Sequence, residues 1–170
     1  FRTSPSDISP MAQAFSVALQ GDDKIVLSGA FFKFFSNGWD FALARYNANG
    51  SLDTSFGGTG KVITDIGGPW TSGSGDAANS VAIQSDGKIL AAGYGNPLAA
   101  GNSDFALARY NTNGTLDTSF GIGGKVTTNF GSTTDYGYEL AIQSDSRIVV
   151  AGQFGDYPSA DFALARYNTD

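Results

Sequence analysis

Short apolar runs separated by turn residues fill the chain, and none of them holds a helical period. Val81-Ala82-Ile83-Gln84 alternates, with Val81 and Ile83 on one face and Ala82 and Gln84 on the other. That is the period-two pattern of a half-buried strand. Ser85-Asp86-Gly87-Lys88 follows, with a carboxylate that accepts a local hydrogen bond and a glycine free to take positive φ. It predicts a tight hairpin. Ile89 to Ala92 is almost wholly apolar, predicting a strand buried on both faces. In Asp40 to Asn47 large Phe41, Leu43 and Arg45 share one side, and Ala42, Ala44 and Tyr46 the other. Alternation of large and small side chains predicts sheets packed closely face to face. Asn47 to Gly50 is a second turn, after which Leu52 and Phe56 anchor a connection to a fourth strand, Lys61 to Ile66. No helix is predicted.

The whole pattern recurs. Asp-Phe-Ala-Leu-Ala-Arg-Tyr-Asn occurs at Asp40–Asn47, Asp104–Asn111 and Asp161–Asn168, spaced by 64 and 57 residues. Each copy is preceded by an alternating run, a turn and an apolar run ending in Gly29, Gly93 or Gly152. Two copies continue into Asn-Gly-Ser/Thr-Leu-Asp-Thr-Ser-Phe-Gly and then Gly60-Lys61-Val62 or Gly124-Lys125-Val126. Units of this length stack, because none buries its hydrophobic face alone. The units run approximately over 11–66, 76–130 and 135–170 of one repeat domain, with 1–10 a candidate to complete the third.

Four-stranded antiparallel units at this period predict an all-β, β-propeller-like array of three blades. The Phe-Ala-Leu-Ala-Arg-Tyr-Asn, Asn-Gly-Ser-Leu-Asp-Thr-Ser-Phe-Gly, Gly-Lys-Val and Val-Ala-Ile-Gln-Ser-Asp-Gly-Lys-Ile motifs resemble the delta-60 repeat over roughly residues 14 to 170. That resemblance implies a β-propeller-like bacterial protein, secreted or on the cell surface, and it transfers no catalytic residue. Three blades are fewer than a closed propeller uses, so two expectations stand. Either two chains close a six-bladed ring as a homodimer, or further repeats of a longer chain cover the edges.

Composition narrows the chemistry. Phe1 is no initiator, which reads as a processed or excised piece. A net charge of −6, with basic residues scattered singly, argues against nucleic acid and anionic membranes as partners. No apolar run is long enough for membrane insertion. Cysteine and histidine are both absent. Disulfides, thiol chemistry, Ser-His-Asp catalysis and the usual zinc ligands are thereby excluded.

Candidate residues are those by which copies differ. Glu139, the sole glutamate, takes the place of Ser16 and Ser80 in the strand that would line a propeller channel. With Asp135 or Asp76 as a second carboxylate it is a candidate for glycan hydrolysis or lyase chemistry; the plainer reading is a solvated channel residue. Asn47, Asn49 and Asp53, like Asn111, Asn113 and Asp117, put oxygen donors around a glycine turn. They are candidate calcium ligands, though turn formation explains the same residues, and no other cofactor is expected. The Asp and Arg of each octamer recur in every unit, which favours pairing between units over anion binding. Aromatic residues crowd the variable loops: Phe32, Phe35, Trp39, Trp70, Tyr94 and Tyr157, with Tyr136 and Tyr138 nearby. Rings beside amides suit a glycan or surface-protein partner, and equally suit packing or a subunit contact. The leading expectation is a non-catalytic binding or structural module, the alternative an enzyme using Glu139.

Overall fold

The computed structural model describes residues 11–33, 38–67, 75–96 and 102–169. Phe35, Trp70 and residues 1–10 lie outside these ranges. The described chain is all-β, with eleven strands and no helix. The first sheet is β1 (Ala12–Leu19), β2 (Ile25–Lys33), β3 (Gly38–Tyr46) and β4 (Lys61–Thr64), paired antiparallel in chain order. The second repeats it with β5 (Ala77–Ile83), β6 (Ile89–Gly95), β7 (Asp104–Tyr110) and β8 (Lys125–Thr128). The third holds three strands among the described residues: β9 (Asp135–Ile142), β10 (Ile148–Phe154) and β11 (Asp161–Tyr167).

Local chemistry explains the recurring punctuation. In the first hairpin of each sheet, Asp22, Asp86 or Asp145 accepts the backbone N–H of Lys24, Lys88 or Arg147 through Oδ1. The residue between takes positive φ, at 62° for Asp23, 83° for Gly87 and 66° for Ser146. The glycine closing each second strand answers a different need. A β-bulge in the neighbouring first strand pushes a carbonyl towards it. A Cβ on Gly29 would stand 1.8 Å from the Gln13 oxygen, and one on Gly93 1.8 Å from that of Ala77. Only glycine fits.

Sheets pack face to face in sequence, and the two faces differ. Phe41 and Leu43 of β3, with Val26 and Phe56, are buried against Ile89, Ala91, Ala106, Ala108 and Tyr110 of the second sheet. The next step repeats this: Leu90, Phe105, Leu107 and Phe120 meet Ile148, Val150, Ala163 and the half-buried Ala165 and Tyr167. Full burial of such a ring or branched chain is worth about 1.5–3 kcal/mol, so these two layers dominate cohesion. Polar pins complete each layer. Tyr110 donates to Thr64 Oγ1 at 2.8 Å, and the Tyr167 hydroxyl lies 2.8 Å from Thr128 Oγ1.

The innermost strands β1, β5 and β9 pack beside one another. Ser16 Oγ accepts the Val81 N–H at 3.4 Å, and Ser80 Oγ accepts that of Leu140 at 3.1 Å. At the opposite rim Arg45 lies over the Phe56 ring and donates Nε to Asp53 at 2.8 Å. Its Nη1 reaches the Thr112 carbonyl in the second sheet. Arg109 does the same with Phe120, Asp117 and the Thr169 carbonyl. The octamer arginines therefore join sheets, as their recurrence predicts, while their carboxylate partners come from the following connection, not from the octamer.

Candidate functional site

The rim where β2 and β6 end, and β3, β5, β7 and β9 begin, gathers most of the side chains that differ between copies. Its floor is acidic. Asp40 is wholly buried at the start of β3, and its Oδ2 lies 2.6 Å from Lys33 Nζ. Oxygens of Asp40, Asp65 and Asp76 lie within 4.8 Å of one another. Asp76 accepts the Ile66 N–H at 2.8 Å and the Asn96 N–H at 3.0 Å. Burial pushes its carboxyl up to about 6, against those two hydrogen bonds and with help from Asp65 and Asp40. Burial likewise raises Asp40, opposed by Lys33.

The equivalent knot between the second and third sheets is wired differently. Asn129 stands where Asp65 does and donates its amide to Asp104 Oδ1 at 2.8 Å. Asp135, wholly buried, accepts the Phe130 N–H at 2.7 Å and the Ser132 hydroxyl. One carboxylate-to-amide difference decides whether the knot carries excess charge. In the first knot the Lys33 ammonium is the compensating cation.

Aromatic rings stand above this floor. Phe32 and Trp39 pair across β2 and β3 with centroids 5.3 Å apart. Trp39 also lies against Gly75, where a Cβ would come within 3.0 Å of its own. Tyr94 of the second sheet meets Tyr136 of the third edge-on at 4.5 Å, and Tyr136 stacks with Tyr138 at 6.5 Å. Tyr94 is half-buried, and Tyr138 is 48% exposed. Tyr157 projects from the β10–β11 turn at 96% exposure, with no ring contact among the described residues. So Phe32, Trp39 and Tyr94 come together with β9, while Tyr157 stands apart. The joint role of Tyr136 and Tyr138 was missed as a cluster with Tyr94. Its only sequence trace is two tyrosines placed before the strand that bears Glu139.

The carboxylate candidates are not presented as a pair. Glu139 Oε1 accepts the Ser80 hydroxyl at 2.5 Å, drawing the side chain onto the neighbouring inner strand. Asp135 is four residues earlier on β9, on the order of 12 Å along the strand, and its oxygens are spent on Phe130 and Ser132. Asp76 holds the corresponding place in the second sheet, where its oxygens are spent on Ile66 and Asn96.

The calcium candidates sit at the other rim and make turn bonds. Asn49 Oδ1 accepts the Ser51 N–H and hydroxyl at 3.0 and 2.7 Å, and Asn47 Nδ2 donates to Ser51 Oγ at 2.9 Å. Asn113 and Asn111 do likewise with Thr115. Asp53 and Asp117 hold Arg45 and Arg109. A hydroxyl bond from Ser55 brings the Asp53 carboxyl down to about 2, with Arg45 contributing. Beside these turns, between the first two sheets, lies a polar cleft of about 670 Å³ lined by Asp22, Lys24, Arg45 and Asp86. Every one of those positions recurs in the second copy as the same residue or, for the third copy, as Asp145, Arg147 and Arg166, which marks scaffold.

No curated protein matches the chain. A family model does, three times over, at residues 20–56, 84–120 and 143–170, the turn, second strand and octamer of each sheet. With three stacked antiparallel sheets and these three matches, the chain belongs to the delta-60-like repeat family described as a β-propeller domain of unknown function, DUF5122.

Proposed function

We propose that the chain is a non-catalytic binding module that takes a glycan on its aromatic rim, displayed outside the cell. One observation carries this reading: rings from adjacent sheets, Tyr94 with Tyr136 and Tyr138, assemble on the rim where the copies diverge. Ring faces take the C–H-rich faces of sugars, and neighbouring amides and carboxylates orient hydroxyls. Partly exposed Tyr138 offers such a face, and Asn96 and Asn102 lie at the ends of the adjoining loop. Loops on a rigid scaffold are where binding residues concentrate.

A glycan array with the intact chain tests it. Retention on at least one glycan class is expected, lost in Tyr138→Ala and Trp39→Ala while the circular dichroism spectrum is kept. A clean negative array overturns the reading, and so does retention that survives both substitutions. Glu139→Gln is expected to leave retention unchanged.

A further inference from the structure

We propose that the outer face of the third sheet and the outer face of the first are two halves of one interface, and that a second copy of the chain seats its first sheet on the third sheet of this one. The inter-sheet layer occurs twice within the chain with the same two sides. One side presents the octamer's Phe, Leu and Arg, and the other its two Ala and Tyr. Each end of the stack leaves one side uncovered, and they are opposite sides.

On the third sheet Phe162 is 94% and Leu164 65% exposed, where Phe41, Leu43, Phe105 and Leu107 are at most 2%. Arg166 is exposed, with no hydrogen bond or ion pair among the described residues. On the first sheet Ala42, Ala44 and Tyr46 are only half-buried, and Val17 is 59% exposed where its counterparts Val81 and Leu140 are 7% and 6%. The faces are therefore complementary in shape, large against small, as in the two layers already formed.

The polar latch is complementary too. Arg45 reaches the carbonyl of Thr112, and Arg109 that of Thr169, each the second residue after the octamer tyrosine in the next sheet. The matching atom on the first sheet of an incoming copy is the Ala48 carbonyl, and Arg166 is the guanidinium that reaches it. Repetition of an interface the chain already makes identifies the occupant as this repeat and not an unrelated protein. Propellers typically hold 4–8 blades. Two copies bring six sheets, and three copies would bring nine. The association closes as a pair with two identical contacts.

Sedimentation of the full chain at tens of micromolar tests this. The expected mass is twice the 17.7 kDa of one chain. Leu164→Asp spoils one side of the interface and Val17→Asp the other, both at exposed positions. Each variant alone is expected at single mass. Mixed in equal amounts they regain a one-to-one pair, because one retains an intact first-sheet face and the other an intact third-sheet face. Re-pairing also shows that both variants are folded. A wild-type chain that stays at single mass overturns the proposal. So does either variant dimerising alone, which would mean like faces meet, and so does a mixture that fails to pair.

Discussion

Arg45, rooted in the first sheet, donates a hydrogen bond to the carbonyl oxygen of Thr112 in the second. The guanidinium is held for this on two other sides, by the Asp53 carboxylate at Nε and by the Phe56 ring beneath it. A planar cation with several fixed donors can do all three at once, which an ammonium cannot. The same arrangement at Arg109 makes the octamer arginine a connector between sheets.

Removing the connector exposes its weight. Arg109→Met leaves Asp117 nearly buried, with only Lys88 at 3.1 Å to offset its charge. Breaking a buried pair from one side costs about 3–5 kcal/mol; with Lys88 in place, a loss near the lower figure is expected in urea denaturation. Arg166→Met, made in the Leu164→Asp background where that face is solvated, is expected to cost under about 0.5 kcal/mol. Equal losses at the two sites would show that the arginine acts within its own sheet and not between sheets.

These two arginines are identical in sequence context, which shows where reading the chain succeeds and where it stops. Alternation of Phe41, Leu43 and Arg45 with Ala42, Ala44 and Tyr46 is enough to assign opposite faces and close packing, since a strand has only two sides. Exact recurrence of the octamer is enough to define stacked units. Neither says that Asp40 answers to Lys33 while Arg45 answers to Asp53, because those partners depend on how the chain returns after β4 and across the β2–β3 loop. The strand order was legible, but its extent was not. β5 begins at Ala77, four residues ahead of the alternating Val81, with the bulge between hiding the period. The rim cluster of Tyr94, Tyr136 and Tyr138 comes from two sheets, and no local pattern encodes that meeting. Asp65 and Asn129 differ by one amide, and only their contacts give that difference a consequence.

The first hairpin turn offers a gain of stability. Ser146 holds a φ of 66° at the position where the second sheet has Gly87. A residue with a Cβ pays about 1–2 kcal/mol there, and glycine gives back about 0.4–1 kcal/mol through the entropy of the unfolded chain. Ser146→Gly is therefore expected to raise stability by about 0.5–1 kcal/mol, and Gly87→Ser to lower it comparably. Asp23→Gly should gain less, since aspartate tolerates this conformation better. Urea midpoints compared at constant slope check all three. A Ser146→Gly chain no more stable than its parent would show that the turn is not strained.

Stability should pass through a maximum in mild acid. Burial raises the carboxyls of Asp76, to about 6, and of Asp40 and Asp104 above their ordinary value of 3.8. Between roughly pH 4 and 6 the folded chain then binds protons that the unfolded chain does not, so stability falls as pH rises through that window. Hydroxyl and arginine contacts act oppositely on Asp53 and Asp117, holding both below 3.8. Their contribution is present above that value and is lost as pH drops towards 2. Denaturation midpoints are expected to climb from pH 7 to about 4.5 and then decline. Asp65→Asn removes one of the charges that raise Asp76 and Asp40, and supplies the amide that Asn129 offers Asp104. That variant is expected to be more stable at pH 7 and to lose part of the climb, with little change at pH 3. A flat profile between pH 7 and 4.5 in the parent chain would mean that the rim carboxylates are better solvated than their burial indicates.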